Sequence, residues 1–453
     1  MKIPCAKRLG FVVSGLSFLQ PALTNAQMYD FTLVATALIL GSRLHLTEIS
    51  CMLLKEKAVS TLSYLFSNAK ICTDELQMLY LLQTLNTYKI SHGYFIIDDT
   101  MKHHTKFCKW IHGVFILFDH ALGTNLKATC IVFLYYSDGA LIKFPIAFRV
   151  YHKGTGTLMP WQRGKRCDCI TKYDLAVEMM EWAILKGFPK CIVLADSWFG
   201  ISPFIKELNR LNLDYVLEIK ANLKIRESCK EPKLTPKGRL AKYQYDLVGL
   251  AKYFEKITTF VRCGFPADPE TGQKEKALYI TKASTVRLNA IPGKHRIVES
   301  HDPATQTIKY LLTNCLTWEA TKIISVYSHR WVIEEFFKNA KQLSDMEGAT
   351  IRSEQGATLA LYLVSWIDFL LHLENYKQCT VGKLPKEPLT IPSIVRRAQN
   401  ENLEAFVLRV QSDEDFVNKL VEFSRANMNR NRKKYKELVV INGDIAAPMK
   451  KAA

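Results

Sequence analysis

Residues 327–341 read Tyr327-Ser328-His329-Arg330-Trp331-Val332-Ile333-Glu334-Glu335-Phe336-Phe337-Lys338-Asn339-Ala340-Lys341. Tyr327, Arg330, Glu334 and Lys341 follow one another at steps of three, four and seven. On an α-helix these steps fall near whole turns, so the four side chains share one face. A carboxylate flanked by two cations and a phenol suits a metal ion bound to phosphate: the carboxylate holds the metal and the cations hold the phosphate backbone. Glu335 lies about 100° around the helix, off that face. The helix is expected to open at Thr317-Trp318-Glu319, with Thr317 as N-cap and Glu319 in the first turn. Ile323, Ile324, Trp331 and Phe337 are read as its buried stripe, with Val332 and Ile333 also packing residues.

Two more carboxylates close apolar, β-like runs upstream. Asp98 follows Tyr94-Phe95-Ile96-Ile97, and Asp196 follows Cys191-Ile192-Val193-Leu194-Ala195. Asp98 and Asp99 are adjacent, so a strand points them to opposite faces. Any single Asp at a strand end can be a turn residue or a helix cap; Asp196 before Ser197 fits a cap on those grounds. Its place after a buried run and before Glu334 favours the metal role.

Two Asp and one Glu in this order resemble the DDE transposases of the RNase-H-like superfamily. The Tyr-x2-Arg-x3-Glu-x6-Lys spacing is similar to the signature of insertion-sequence family four, the YREK transposases, and matches it at all four positions. The resemblance covers roughly residues 91–380, with motifs and spacers in family order. It implies that the first and fourth strands of the core lie side by side, so that Asp98 and Asp196 meet, with Glu334 as third catalytic carboxylate. It assigns Tyr327, Arg330 and Lys341 to the transferred-end DNA. Relatives show Asp-x-Thr or Asp-x-Ser at the first motif. Asp98-Asp99-Thr100 matches this and favours Asp98, with Asp99 the alternative. Three converging carboxylates repel unless a cation sits among them, and hard oxygen ligands select Mg²⁺ or Mn²⁺ over zinc. Two such ions about 4 Å apart would clamp the attacking and leaving oxygens of an in-line phosphoryl displacement. Water is the nucleophile for cutting, and a 3′-hydroxyl for strand transfer.

Composition agrees with a nucleic-acid partner. The 453 residues exceed one ordinary core. The excess of 61 Lys and Arg over 43 Asp and Glu, a net charge of +18, favours a polyanion through phosphate neutralisation. The 12 cysteines are scattered; Cys167 and Cys169 form the one close pair, without zinc-site spacing, so they read as reduced thiols of a cytosolic protein. Lys2, Lys7 and Arg8 before an apolar stretch from Leu9 to Leu19, with Thr24-Asn25-Ala26 beyond, have the outline of a signal peptide. An N-terminal core helix is the favoured reading. The run from Tyr29 to Gly41 is too short to span a bilayer. A cytoplasmic protein of the bacterial cytosol or nucleoid is expected. The pairs His103-His104 and Asp119-His120 lack spaced partners and read as surface polar residues.

Periodicity divides the chain. Residues 1–90 carry helical spacing, read as a helical N-terminal DNA-binding domain or a helical cap. Residues 91–221 and 311–380 read as the α/β RNase-H-like catalytic core. Between them, 222–310 reads as a β-rich insertion punctuated by Gly264-Phe265-Pro266 and Ile291-Pro292-Gly293. None of the seven Trp falls in it; Tyr243, Tyr245, Tyr253 and Phe265 are the aromatic candidates there for stacking on a base, though core packing is the commoner role for such residues. A second apolar helix is expected over Ala357–Leu373. Residues 381–453 read as a helical, basic C-terminal region, entered through Pro385, Pro388 and Pro392, with cationic runs at 427–436 and 450–451. The function expected is a DNA transposase that cuts the ends of its own element and joins the 3′ ends to target DNA. Two ends must be held together, so the resemblance implies a homodimer. The competing readings are an RNase-H-like nuclease without joining activity and a catalytically silent DNA-binding descendant of a transposase.

Overall fold

The computed structural model describes residues 3–105, 108, 111–119, 122–152, 170–229, 231–233, 236–237, 239–240, 244–265, 276–348, 351–381 and 389–424. The basic runs at 427–436 and 450–451, Tyr243, His120, Pro385, Pro388 and the pair Cys167 and Cys169 lie outside these residues.

The chain opens with five helices: α1 (Gly10–Gly15), α2 (Asn25–Ile39), α3 (Leu46–Met52), α4 (Val59–Ser67) and α5 (Thr73–Tyr88). The apolar stretch read as a leader or a core helix is core. Leu9, Val12, Leu16 and Leu19 are fully buried, and a 3-10 turn at Ser17–Ala22 follows α1. Thr24, expected near a cleavage site, is the N-cap of α2 and forms a capping box with Gln27. These helices share one continuous apolar cluster with the sheet that follows rather than closing a core of their own.

The sheet begins with β1 (Tyr94–His103), β2 (Val114–Asp119), β3 (Thr124–Ser137) and β4 (Lys143–Tyr151). Then come α6 (Lys172–Leu185), β5 (Ile192–Ala195), α7 (Ser202–Arg210) and β6 (Tyr215–Ile219). Strand β3 pairs antiparallel with β1 on one edge; on the other it pairs with β2 along its first half and β4 along its second. Strand β5, the fourth strand of the fold once β2 is set aside, lies parallel to β1, and β6 lies parallel to β5. Fully apolar β1, β3 and β5 segments fit strands covered on both faces. The result is the expected mixed α/β core with a central mixed sheet.

Residues 222–313 supply β7 (Lys224–Ser228), β8 (Tyr245–Gly249), α8 (Leu250–Glu255), β9 (Val261–Phe265), β10 (Lys276–Val286), β11 (His295–Asp302) and β12 (Thr307–Thr313). Only β7 and β8 form a separate two-stranded sheet; β12 pairs with β6, and β11, β10 and β9 extend the central sheet beyond it. The β-rich stretch therefore continues the sheet outward, because β6 leaves an edge that β12 completes.

Then come α9 (Ala320–Ser328), α10 (Trp331–Gln342), α11 (Glu354–Val381) and α12 (Ile391–Ser412), and residues 414–424 are helical as well. Helix α11 is longer than the apolar run predicted. By length and composition it could cross a membrane, but its apolar window is 89% buried against the sheet and the N-terminal helices. Trp366 at its centre stacks on Tyr362 and meets the edge of Phe31.

Candidate active site at the ends of three parallel strands

Strand pairing sets the site. In β1, β5 and β6 the residues Ile97, Ala195 and Leu217 are in register across two parallel pairings. The next residue in each strand is acidic: Asp98, Asp196 and Glu218. Parallel pairing keeps side chains of one row on one face. Asp98 does not end its strand, as expected, but lies within β1; what ends there is the parallel pairing with β5. Past Asp196 the backbone turns, the Trp198 amide donates to Asp196 Oδ1 at 3.0 Å, and Gly200 packs against β6. A Cβ on Gly200 would lie 2.2 Å from the Glu218 carbonyl oxygen, so only glycine permits this approach.

The signature lies on two helices rather than one. Helix α9 begins at Ala320 with Glu319, not Thr317, as N-cap, and ends at Ser328. His329 and Arg330 make tight three-residue backbone bonds before α10 starts. At the break the His329 ring stacks on Tyr94 at 4.7 Å. Helix α10 seats Ile333, Phe336 and Ala340 on the sheet, with Phe336 against Phe133 and Tyr135. That stripe leaves Trp331 outside: it is 61% exposed, against the expectation that it packs in the core. Phe337 is half-buried against Phe133.

The break lets Tyr327 and Arg330 reach opposite ends of the acidic row. Tyr327 Oη donates to Glu218 Oε2 at 2.8 Å. Arg330 Nη1 donates to Asp98 Oδ2 at 3.0 Å, and Nη2 donates to Glu334. Arg330 thus ties together two of the three predicted catalytic carboxylates. Lys341, about two turns beyond Glu334, pairs with Glu347 at 3.0 Å and does not touch the row.

Electrostatics follow from crowding and burial. Burial, then Asp196, pushes the Asp98 carboxyl up to about 7, against the pull of Arg330. Burial also raises Asp196, opposed by the Trp198 amide. Burial raises the Tyr327 phenol, with Glu218 adding to it. Burial opposes the Arg330 charge, yet Tyr327, Asp98 and Glu334 around it hold the guanidinium firmly protonated. Among the described residues no group of three or more His, Cys, Asp or Glu is disposed to hold a metal as the protein stands. The reason is visible in the contacts: Arg330 binds both Asp98 and Glu334. The donor set itself, two partly buried carboxylates on adjacent strands with a third on the same guanidinium, has the hard-oxygen chemistry a divalent cation takes.

The alternative carboxylates have other partners, although the charge of Asp99 also raises Asp98 and Asp196. Asp99 accepts from Lys172 at 2.8 Å and from Cys130 at 3.2 Å, on the opposite face of β1. Glu335 pairs with Lys143 at 3.3 Å. His103 pairs with Asp119 at 2.8 Å and His104 bonds Thr129 at 3.0 Å. Glu218 was missed in the sequence. Its signal was one acidic residue inside the apolar strand Tyr215-Val216-Leu217-Glu218-Ile219, where the alternation rule asks for a reason.

Two protein-family models match the chain. The family model described as DDE superfamily endonuclease matches residues 20–255, and that described as transposase DDE domain matches residues 173–367. No curated protein matches the chain. Between them the two matches contain the acidic row and the signature helices, and the first covers more than half of the chain: the protein belongs to the DDE transposases.

Proposed function

We propose that the chain is a transposase of the insertion-sequence family four type, which cleaves the ends of its own element and joins the 3′ ends to target DNA by metal-dependent phosphoryl transfer. The observation that carries this reading is the meeting of Asp98 and Asp196 on adjacent parallel strands, with Arg330 tying Asp98 to Glu334.

Asp98, Asp196 and Glu334 are the residues that would hold Mg²⁺ or Mn²⁺, two ions in the full reaction. Bound there, the metal would activate the attacking oxygen and neutralise charge on the leaving oxygen. The protein's own groups prepare that state. Arg330 is the counter-cation of Asp98 and Glu334 in the free protein. A scissile-strand phosphate competes for its guanidinium through two parallel bonds, which frees Glu334 to turn toward the two Asp residues. Tyr327 exchanges Glu218 for a phosphate oxygen as the acceptor of its one hydroxyl proton, and Lys341 exchanges Glu347 for the backbone further along the strand. Because the same carboxylates serve both steps, water in the first and a 3′-hydroxyl in the second meet one arrangement.

DNA is the partner this reading requires, with a homodimer holding two ends. Residues 1–90 are proposed to read the element ends, and 222–310 to act as the insertion that embraces the transferred strand. A cavity of about 780 Å³ where the N-terminal helices meet the C-terminal region is lined by Lys7, Arg8, Lys55, Arg409 and Lys419 against Glu56 and Glu422, an excess of cations that suits phosphate. The test is incubation of the purified protein with Mg²⁺ and DNA from the flanks of its gene, beside Glu334→Gln. Cleaved ends and joined products that vanish in the variant support the proposal. Cleavage without joining points to a nuclease, and binding without cleavage to a silent DNA-binding descendant.

A further inference from the structure

Glu218 stands in the same register row as Asp98 and Asp196, at the end of the third parallel strand. Its carboxylate has two partners. Tyr327 Oη donates to Oε2 at 2.8 Å, and Lys309 Nζ on β12 lies 3.3 Å from the same oxygen. Lys309 reaches the row because β12 pairs beside β6, with Leu311 opposite Glu218. The Lys309 side chain is half exposed, and Tyr327 lies beside Arg330, whose guanidinium carbon is 5.8 Å from the phenol ring. The backbone of Glu218 is fixed as well, since Gly200 of the Asp196 turn packs on its carbonyl.

From this arrangement we infer that Glu218 is a positioning residue of the DNA-cutting site: it holds the Tyr327 phenol and the Lys309 ammonium in place beside Asp98 and Asp196, from where both turn to the strand when it binds. The inference rests on the proposed reaction for its consequence, but the contact itself does not. A carboxylate accepting from a phenol fixes where the hydroxyl lies. A partly buried phenol without that acceptor would lose a partner and swing. Lys309, tethered at one end of the row, adds a cation opposite Arg330 at the other. A phosphate over the row is then gripped from both sides.

The test uses the full chain. Tyr327 is replaced by 3-fluorotyrosine and its ¹⁹F resonance is recorded in wild type, Glu218→Ala and Glu218→Gln. Single-turnover cleavage of end DNA is measured in parallel for both Glu218 variants, for Tyr327→Phe and for the double variant Glu218→Ala with Tyr327→Phe. Because the Gln amide oxygen still accepts from the phenol, Glu218→Gln should keep the resonance and cleave within about 3-fold of wild type. Glu218→Ala should shift the resonance and cut cleavage roughly 10- to 100-fold. Tyr327→Phe should fall equally, and the double variant no further than about 3-fold below either. An unmoved resonance in Glu218→Ala overturns the inference, even if no variant cleaves DNA. So does a double variant whose losses multiply, because Glu218 would then act apart from Tyr327. Glu218→Gln as inactive as Glu218→Ala with its resonance unchanged also overturns it, by assigning the role to charge. If wild type fails to cleave while the resonance shifts in Glu218→Ala, the contact stands and the proposed reaction falls.

Discussion

At position 330 a guanidinium sits between Asp98 and Glu334, so the free protein supplies from its own chain the positive charge its carboxylates need. Asp98 still carries the cost of crowding. Burial and Asp196 push it up to about 7. A carboxyl raised in the folded state binds its proton more tightly there than when unfolded. Its contribution to stability is therefore complete below the ordinary carboxylate value of about 4 and is lost as pH rises to about 7. Asp98→Asn removes that slope. In metal-free buffer, urea midpoints between pH 5 and 8 should fall less in the variant than in wild type. Equal slopes would show that Asp98 is ionised throughout. The choice between Asp98 and Asp99 was legible only through the Asp-x-Thr pattern. Alternation says that the two residues diverge, and only the placement of Arg330 and Lys172 shows which one faces the row. The exposure of Trp331 was not legible, since an indole at helical spacing reads as core whichever way its helix is turned.

The element that decides the site is the break between α9 and α10. Spacing puts Tyr327, Arg330, Glu334 and Lys341 on one face of a single helix, whereas the chain divides them between α9 and α10 and pairs Lys341 with Glu347 away from the row. The break was not readable: at it His329 stacks on Tyr94, a contact between segments far apart in sequence that spacing does not reveal. Strands β1, β5 and β6 were readable as apolar runs. Their register, and with it the place of Glu218, follows from pairing, which periodicity does not encode. The turn after Asp196 gives a sharp prediction at this scale. Gly200→Ala places a methyl 2.2 Å from a backbone carbonyl that cannot step aside. The variant should lose about 2 kcal/mol of stability and most cleavage, because Asp196 and Glu218 separate. Urea unfolding and single-turnover cleavage check the two losses. Wild-type values in both would show that the turn is free to adjust.

Across the whole molecule, one apolar cluster runs from the N-terminal helices through the sheet to α12, with α11 at its centre. The division into an N-terminal domain, a core, an insertion and a C-terminal region tracks changes of sequence period, whereas the core runs across those boundaries. Burial of α11 between sheet and helices is a tertiary fact that its composition leaves open. Trp366→Ala should cost about 3–5 kcal/mol and lower the thermal midpoint of the N-terminal helices and the sheet together, as tracked by hydrogen exchange. Loss confined to one of them would mean separate cores.

In the proposed reaction Asp98, Asp196 and Glu334, and not their neighbours, carry phosphoryl transfer. One series tests it directly: single-turnover cleavage of end DNA with Mg²⁺ by Asp98→Asn, Asp99→Asn, Asp196→Asn, Glu334→Gln and Glu335→Gln. Asp98→Asn, Asp196→Asn and Glu334→Gln should each lose about 10³-fold or more, while Asp99→Asn and Glu335→Gln stay within about 10-fold of wild type. An active Asp98→Asn or Glu334→Gln beside a dead Asp99→Asn or Glu335→Gln would contradict the account.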